Sequence, residues 1–320
     1  MDYEYSVEPK AIASDWKTFR FVWSLFGFSK GRLISQFPKN WFKEVYNAID
    51  EAEKSHNNSN NLYLIRKNLE EERKREINYG DCRVKKFNRQ SHYINGNTWI
   101  TNALNENKRE KFAAIIAQDS MDNSSVISVE ELDEKDLRNK VSWATTLTED
   151  ELISAFNMFL RFGCRIAFID PYFRIDSENQ HRIVRNLLSQ CLSIVSKYNP
   201  DAECEIHYRD HENNPMPSIS YIEGKSQQIA SLIPDGMHIT IHCWRKHNAI
   251  EFHDRYLLTD NGGLQIGKGF RLDEGESTSV GFSSAKAAAD IFSRFNGSGH
   301  HLVDYALRID SKGGIERIYL

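Results

Sequence analysis

Long apolar runs are missing from this 320-residue chain. None approaches the roughly 20 consecutive apolar residues that span a bilayer, so no transmembrane segment is expected. The first residues, MDYEYSVEPK, lack the basic-then-apolar order of a secretory signal. Cysteine is sparse: Cys82, Cys164, Cys191, Cys204 and Cys243 are scattered and form no CxxC pair. An odd, dispersed set reads as reduced thiols in a soluble, cytoplasmic protein. Positive charge is not in excess. A formal net charge of −4 argues against a protein whose main work is coating nucleic acid, while leaving room for a local basic groove. No internal repeat is found. What is present, 27% charged and 12% aromatic residues, suits a well-packed core in two domains or one large one.

The pattern along the chain changes near residue 145. Before it, helical spacing dominates. SDWKTFRFVWSLFG carries Ser14 as a cap and ends at Gly27. FPKNWFKEVYNAIDEAEK places Trp41, Phe42, Val45, Tyr46 and Ile49 on one stripe. YLIRKNLEEERKRE reads as a charged, solvated helix. RVKKFNRQSHYINGNTW reads as a hairpin or two short strands, turning at Asn95-Gly96. Basic residues exceed acidic ones from Arg66 to Lys111, and the sign reverses from Asp119 to Asp136. The expected division is a mainly helical domain at 1–118, an acidic linker at 119–145 and an α/β domain at 146–320. Trp16, Trp23 and Trp41 are expected in the first core, with a protein partner for residues 1–145 as the competing use.

After residue 145 helices and strands alternate. TEDELISAFNMFLRFG has Thr148 and Glu151 at capping-box spacing and a terminal Gly163. CRIAFIDPYF, AECEIHYR and MHITIHCW read as strands. Ser177 and Gln180 stand at capping-box spacing before a stripe of Val184, Leu187, Leu188, Cys191, Leu192 and Val195. HDRYLLTDNGGLQIGKGF reads as a strand, an Asn261-Gly262 turn and a returning strand, and Ser283 or Ser284 caps a closing helix. The order implies a mixed sheet flanked by helices.

Within that stretch His253 and Arg255 are two apart, which on a strand points them to one side. An imidazole is a competent nucleophile toward phosphorus, and a guanidinium neutralises the non-bridging oxygens. Asp260, before the turn, can buttress the local structure. Gly267 and Gly269 would let a phosphate approach the backbone. Other groupings are weaker. His238 and His242 on one strand stand about 13 Å apart, too far for one metal. His300-His301 follows NGSG and reads as a loop. GGLQIGKGF fails the P-loop pattern at Phe270. Asp170-Pro171-Tyr172 reads as a strand-to-helix turn, although α/β sheets place ligands at such ends. No metal and no cofactor is expected.

His253-x-Arg255-x4-Asp260-x6-Gly267 resembles the HxK(x4)D(x6)G(S/T) motif of the phospholipase D superfamily. With IDPYF, NGGLQIGKGF, SVGFSS and DIF around it, residues 150–310 resemble the phospholipase-D-like C-terminal domain of MIT-domain proteins and its bacterial relatives. The chain departs at two places: Arg255 stands for the family lysine, and Lys268 for the Ser/Thr. Only one motif is present, since His207-Tyr208-Arg209 has Asn214 where the acid belongs. The resemblance implies a metal-independent phosphodiesterase or nuclease acting on nucleic acid. It would work as a homodimer in which two copies of His253 face one phosphorus, with Arg255 and Lys268 as clamp and Asp260 as support. By analogy its setting is an effector of prokaryotic anti-phage defence. The alternative implied is a catalytically silent adaptor that contacts a protein partner, nucleic acid or a lipid headgroup.

Overall fold

The computed structural model describes residues 3–55, 59–75, 81–87, 92–137, 142–173, 182–209, 218–245, 253–270, 272–295 and 303–318. Two compact units result, Met1–Lys140 and Val141–Leu320. Among the described residues no helix is long and apolar enough to cross a membrane.

The first unit is rich in helix, but it is organised around a sheet that helical periodicity hides. Its strands are β1 (Glu4–Val7), β2 (Leu33–Ser35), β3 (Val84–Lys85), β4 (Ile115–Ala117) and β5 (Val126–Ser128). They run in the order β3-β2-β1-β4-β5, and every pairing is parallel. Parallel strands covered on both faces read as short apolar runs without alternation. These strands are two to four residues long, too short to register as a period. Of the hairpin or two short strands expected at 83–99, the hairpin is corrected: Val84 and Lys85 form a short strand that pairs in parallel with Ile34 and Ser35, while Asn95-Gly96 is a turn as expected.

Helices α1 (Pro9–Ala13), α2 (Trp16–Ser24), α3 (Trp41–Ser55), α4 (Ser59–Arg75) and α5 (Trp99–Asn107) supply the connections. Asp15 rather than Ser14 caps α2, its Oδ1 accepting from the amides of Lys17 and Thr18. Tyr5, Val7, Phe19, Val22, Trp23, Trp41, Val45, Ile49, Ile65 and Leu69 form the core, and the Trp41 indole N–H donates to Val7 O at 2.7 Å. Trp16 packs on this core while half-buried. The acidic linker is also corrected over residues 126–137. Val126–Ser128 is β5, Leu132 and Leu137 join the core, and Glu134 pairs with buried Arg32 at 2.8 Å. Apolar residues spaced through an acidic run were enough to anchor it.

The second unit is a nine-stranded mixed sheet. Its strands are β6 (Ser142–Leu147), β7 (Arg165–Ile169), β8 (Glu203–Arg209), β9 (His238–Trp244), β10 (Tyr256–Thr259), β11 (Gly262–Ile266), β12 (Asp273–Ser283), β13 (Val303–Asp310) and β14 (Ile315–Ile318). The order is β14-β13-β9-β8-β7-β10-β11-β12-β6. The central β7, β8 and β9 are parallel, and the remaining pairings are antiparallel. Helices α6 (Glu149–Phe162), α7 (Arg182–Tyr198), α8 (Ile219–Gly224), α9 (Ser226–Ala230) and α10 (Ala285–Phe292) complete it. Thr148 and Gly163 bound α6, though the Thr148 side chain makes no cap hydrogen bond. Ser284 caps α10 through the Ala287 amide. Phe156 and Phe168 pack edge-on against Phe270, while Phe292, Phe295 and Ala288 pack on Ala167, Ile169, Trp244 and Leu258. Each such buried aliphatic or aromatic side chain contributes about 1.5–3 kcal/mol. Ser177, Gln180, Asn214, His300 and His301 lie outside the described residues.

Candidate functional site

Because β10 runs antiparallel to β7, with Tyr256 opposite Ile169, the next pair outward is Arg255 and Asp170. They meet at the carboxyl end of β7. The returning β11 brings Gly267–Phe270 to the same end, with the Ile266 amide donating to Arg255 O. In α/β sheets this edge is where ligands bind.

Arg255 is held from three sides. Its Nε lies 3.7 Å from Asp170 Oδ1, its Nη1 donates to Gly267 O at 3.0 Å, and its guanidinium carbon sits 5.2 Å from the centre of the Tyr172 ring. The side chain stays a quarter exposed. Asp170 is buried and accepts from the amides of Tyr172 (2.9 Å) and Phe270 (3.2 Å). Burial pushes its carboxyl upward, against the pull of those two amides and of Arg255. Gly269 has φ +74°, and a Cβ there would overlap Asp170 Oδ2 and Arg255 Cδ, so only glycine lets the loop close over this pair. Tyr172 is 47% exposed. His253, two residues before Arg255, is exposed.

The structure does not gather all the expected residues. Asp260 stands at the other end of β10, about five residues or roughly 17 Å of strand from Arg255. Its Oδ1 accepts from the amides of Cys164 (2.7 Å) and Arg165 (3.2 Å), tying the hairpin turn to the start of β7. The turn itself is Asp260-Asn261, one residue earlier than expected, since Thr259 pairs with Gly262. Asp260 thus anchors the fold and reaches none of the groups around Arg255. Lys268, expected as a phosphate clamp, closes on Glu276 at 2.8 Å. Gly267 contributes its carbonyl to Arg255 and its amide to Ser279 O.

A second polar cluster lies on the sheet face covered by α10. β8 and β9 pair so that His207 is opposite His242 and Glu205 opposite Thr240. Arg165 grips Glu205 with Nε and Nη2 at 3.0 and 2.9 Å. Glu205 Oε2 lies 3.0 Å from His207 Nε2, and the Trp244 indole nitrogen lies 3.1 Å from His207 Nδ1. An indole N–H can only donate. Nδ1 of His207 is therefore the acceptor, Nε2 carries the proton, and the ring is neutral. Burial pushes Glu205 up, but the hydrogen bond from His207 and the charge of Arg165 outweigh it and hold the carboxylate at about 2. Burial lowers His207. It also lowers His242, to about 3, with His207 adding to the effect.

Glu205, His207 and His242 each present a ligand atom within 4.8 Å of the others. The donor chemistry does not suit a metal in this arrangement. Both His207 nitrogens are used, Glu205 is occupied by a cation, and the two imidazoles stack at 4.5 Å and 4°, so their in-plane lone pairs run side by side instead of converging. His242 is buried. Neither ring nitrogen of His242 has a hydrogen-bond partner among the described residues. The signal available in the sequence was Glu205-x-His207 and His242-x-Trp244, each at period two. Their union depends on a strand pairing that a single sequence does not display.

No family model matches the chain, and no curated protein matches it. Among solved structures it is similar to TrmBL2, an archaeal chromatin protein whose structure shows a novel mode of DNA binding. The identity is 10% and the TM-score 0.26, over 48% of this chain and 50% of that one. So slight a likeness carries no argument about fold or ligand.

Proposed function

We propose that the second unit acts on phosphodiesters at the carboxyl edge of β7–β9, as a metal-independent phosphodiesterase of phospholipase D type. The observation that carries this reading is Arg255. It is positioned by Asp170, Gly267 O and Tyr172, its Nη2 has no protein hydrogen bond among the described residues, and exposed His253 is two residues away. A guanidinium fixed on one side and open on the other is suited to a phosphate oxygen. In this reading His253 attacks phosphorus, the P–O bond to the leaving alcohol breaks, and water then hydrolyses the phosphohistidine. The leaving oxygen needs a proton. The same histidine of a second copy would supply it, so the active form is a homodimer. Asp260 supports the strand from its far end.

One observation favours the silent adaptor. Lys268 and Arg255 both have carboxylate partners, Glu276 and Asp170, which weakens the field offered to an anion. The rivals separate by incubating the full chain and His253→Ala with DNA and RNA in EDTA, and by measuring oligonucleotide binding of Arg255→Ala. Cleavage that survives EDTA and vanishes in His253→Ala supports hydrolysis. Binding that depends on Arg255 without cleavage by either protein supports the adaptor. Absence of both overturns the assignment of this edge as an anion site.

A further inference from the structure

The first unit carries a cleft of about 930 Å³, within the range that small-ligand sites occupy. Its place in the fold is specific. Gln36 and Lys86, the residues immediately after β2 and β3, form one wall, the first turns of α3 a second, and the last turns of α4 a third. It therefore opens outside the carboxyl ends of two parallel strands and at the N-terminus of a 15-residue helix. The helix dipole favours anions at the second of these positions.

The lining is strongly cationic. Lys39, Lys43, Arg73, Lys74 and Lys86 face it with Glu70 as the one carboxylate. None of the five forms an ion pair among the described residues, in contrast to Lys268 with Glu276 or Arg317 with Glu223. Like charges gathered without partners repel one another. In a chain with net charge −4, acids to neutralise them are not scarce. Solvated lysines alone would not make a site; the start of α3 adds to them. Tyr46 also lines the cleft. In the first turn of α3 the Trp41 amide donates to Pro38 O and the Glu44 amide to Asn40 O. Between them the amides of Phe42 and Lys43 have no protein acceptor among the described residues. Free amides and five cations without an ion-pair partner among the described residues line one concavity, Arg73 also lying over the Phe42 ring.

We infer that this cleft binds a polyphosphorylated small molecule of nucleotide size. The phosphates would lie against the α3 amides with Lys39 and Lys43. Arg73, Lys74 and Lys86 close the opposite side, and the half-buried rings of Phe42 and Tyr46 flank the apolar part. This site is independent of the phosphodiester assignment in the second unit.

The test is calorimetric titration of the full chain with inorganic triphosphate, with ATP and with a 20-nucleotide single-stranded DNA. Lys43→Glu and Arg73→Glu are the test variants and Lys135→Glu, in the same unit, the control. An acid at the start of α3 suits the helix dipole, so Lys43→Glu is expected to fold, which circular dichroism checks. The expected result is saturable binding of triphosphate or ATP, weakened roughly tenfold or more by either test variant and unchanged by the control. Three results overturn the inference: no binding of either phosphate, binding indifferent to both test variants, or binding of the DNA strand alone.

Discussion

Acidification from pH 7 to pH 5 is expected to destabilise the second unit through His242. Its ring is buried at 7% exposure, stacked 4.5 Å from His207 and 6.0 Å from Trp244, and neither nitrogen has a hydrogen-bond partner among the described residues. Protonation would place a cation in that layer. Burial opposes it first and neighbouring His207 second. The attraction of Glu205 offsets part of this, and Arg165 opposes protonation again, so the ring is held down at about 3. The ordinary value is 6.5. Between these two values the unfolded chain binds a proton that the folded chain refuses. Stability is therefore complete above about pH 6.5 and falls as pH drops towards 3. The slope approaches about 1.36 kcal/mol per pH unit. Over the roughly one and a half units from 6.5 to 5 the loss is about 2 kcal/mol, or roughly 4–8 °C in Tm for a unit of this size. His207, also lowered by burial, acts in the same direction. The pH dependence of wild type minus that of His242→Phe isolates the first histidine, since phenylalanine keeps an aromatic ring in the stack and cannot titrate. Urea unfolding at pH 7 and pH 5 supplies the energies, and hydrogen exchange of β8 and β9 peptides confines them to this unit. Identical pH dependence in the two proteins would refute the reasoning.

Two further outcomes follow from the same geometry. Asp260→Ala removes acceptors from the amides of Cys164 and Arg165 and should cost about 1–3 kcal/mol. A melting temperature within a degree of wild type would contradict its anchoring role. Glu205→Gln should cost on the order of 3 kcal/mol at pH 7, because a buried carboxylate held at about 2 adds stability above its ordinary range and loses it as pH falls through 2. The deficit of the variant should shrink below about pH 4.5, and a deficit that stays constant down to pH 2.5 argues against the assignment.

The parts of the fold legible in the sequence are those written in neighbouring residues. Thr148 and Gly163 marked the ends of α6, Ser284 the start of α10, and the apolar runs from Arg165, Glu203 and His238 the three central strands. The parallel sheet of the first unit escaped because Val84–Lys85 or Leu33–Ser35 is shorter than any period. The acidic run at 119–136 escaped because apolar residues within it, Val126, Ile127 and Leu132, with Leu137 directly after it, outweigh its charge once they find a core. The cleft beside α3 escaped because its cations come from three separate segments, each of which alone reads as a solvated face.

By itself the sequence determined the alternation of elements after residue 145 and, among the described residues, the absence of a helix long and apolar enough to cross a membrane, since caps and apolar periods act within a few residues. Tertiary structure decided which groups meet. Asp170 faces Arg255 because β7 and β10 pair antiparallel, His207 stacks on His242 because β8 and β9 pair in that register, and Asp260 is carried to the opposite end of its strand. Such encounters depend on strand register between distant segments, which shape and burial select and local composition does not encode.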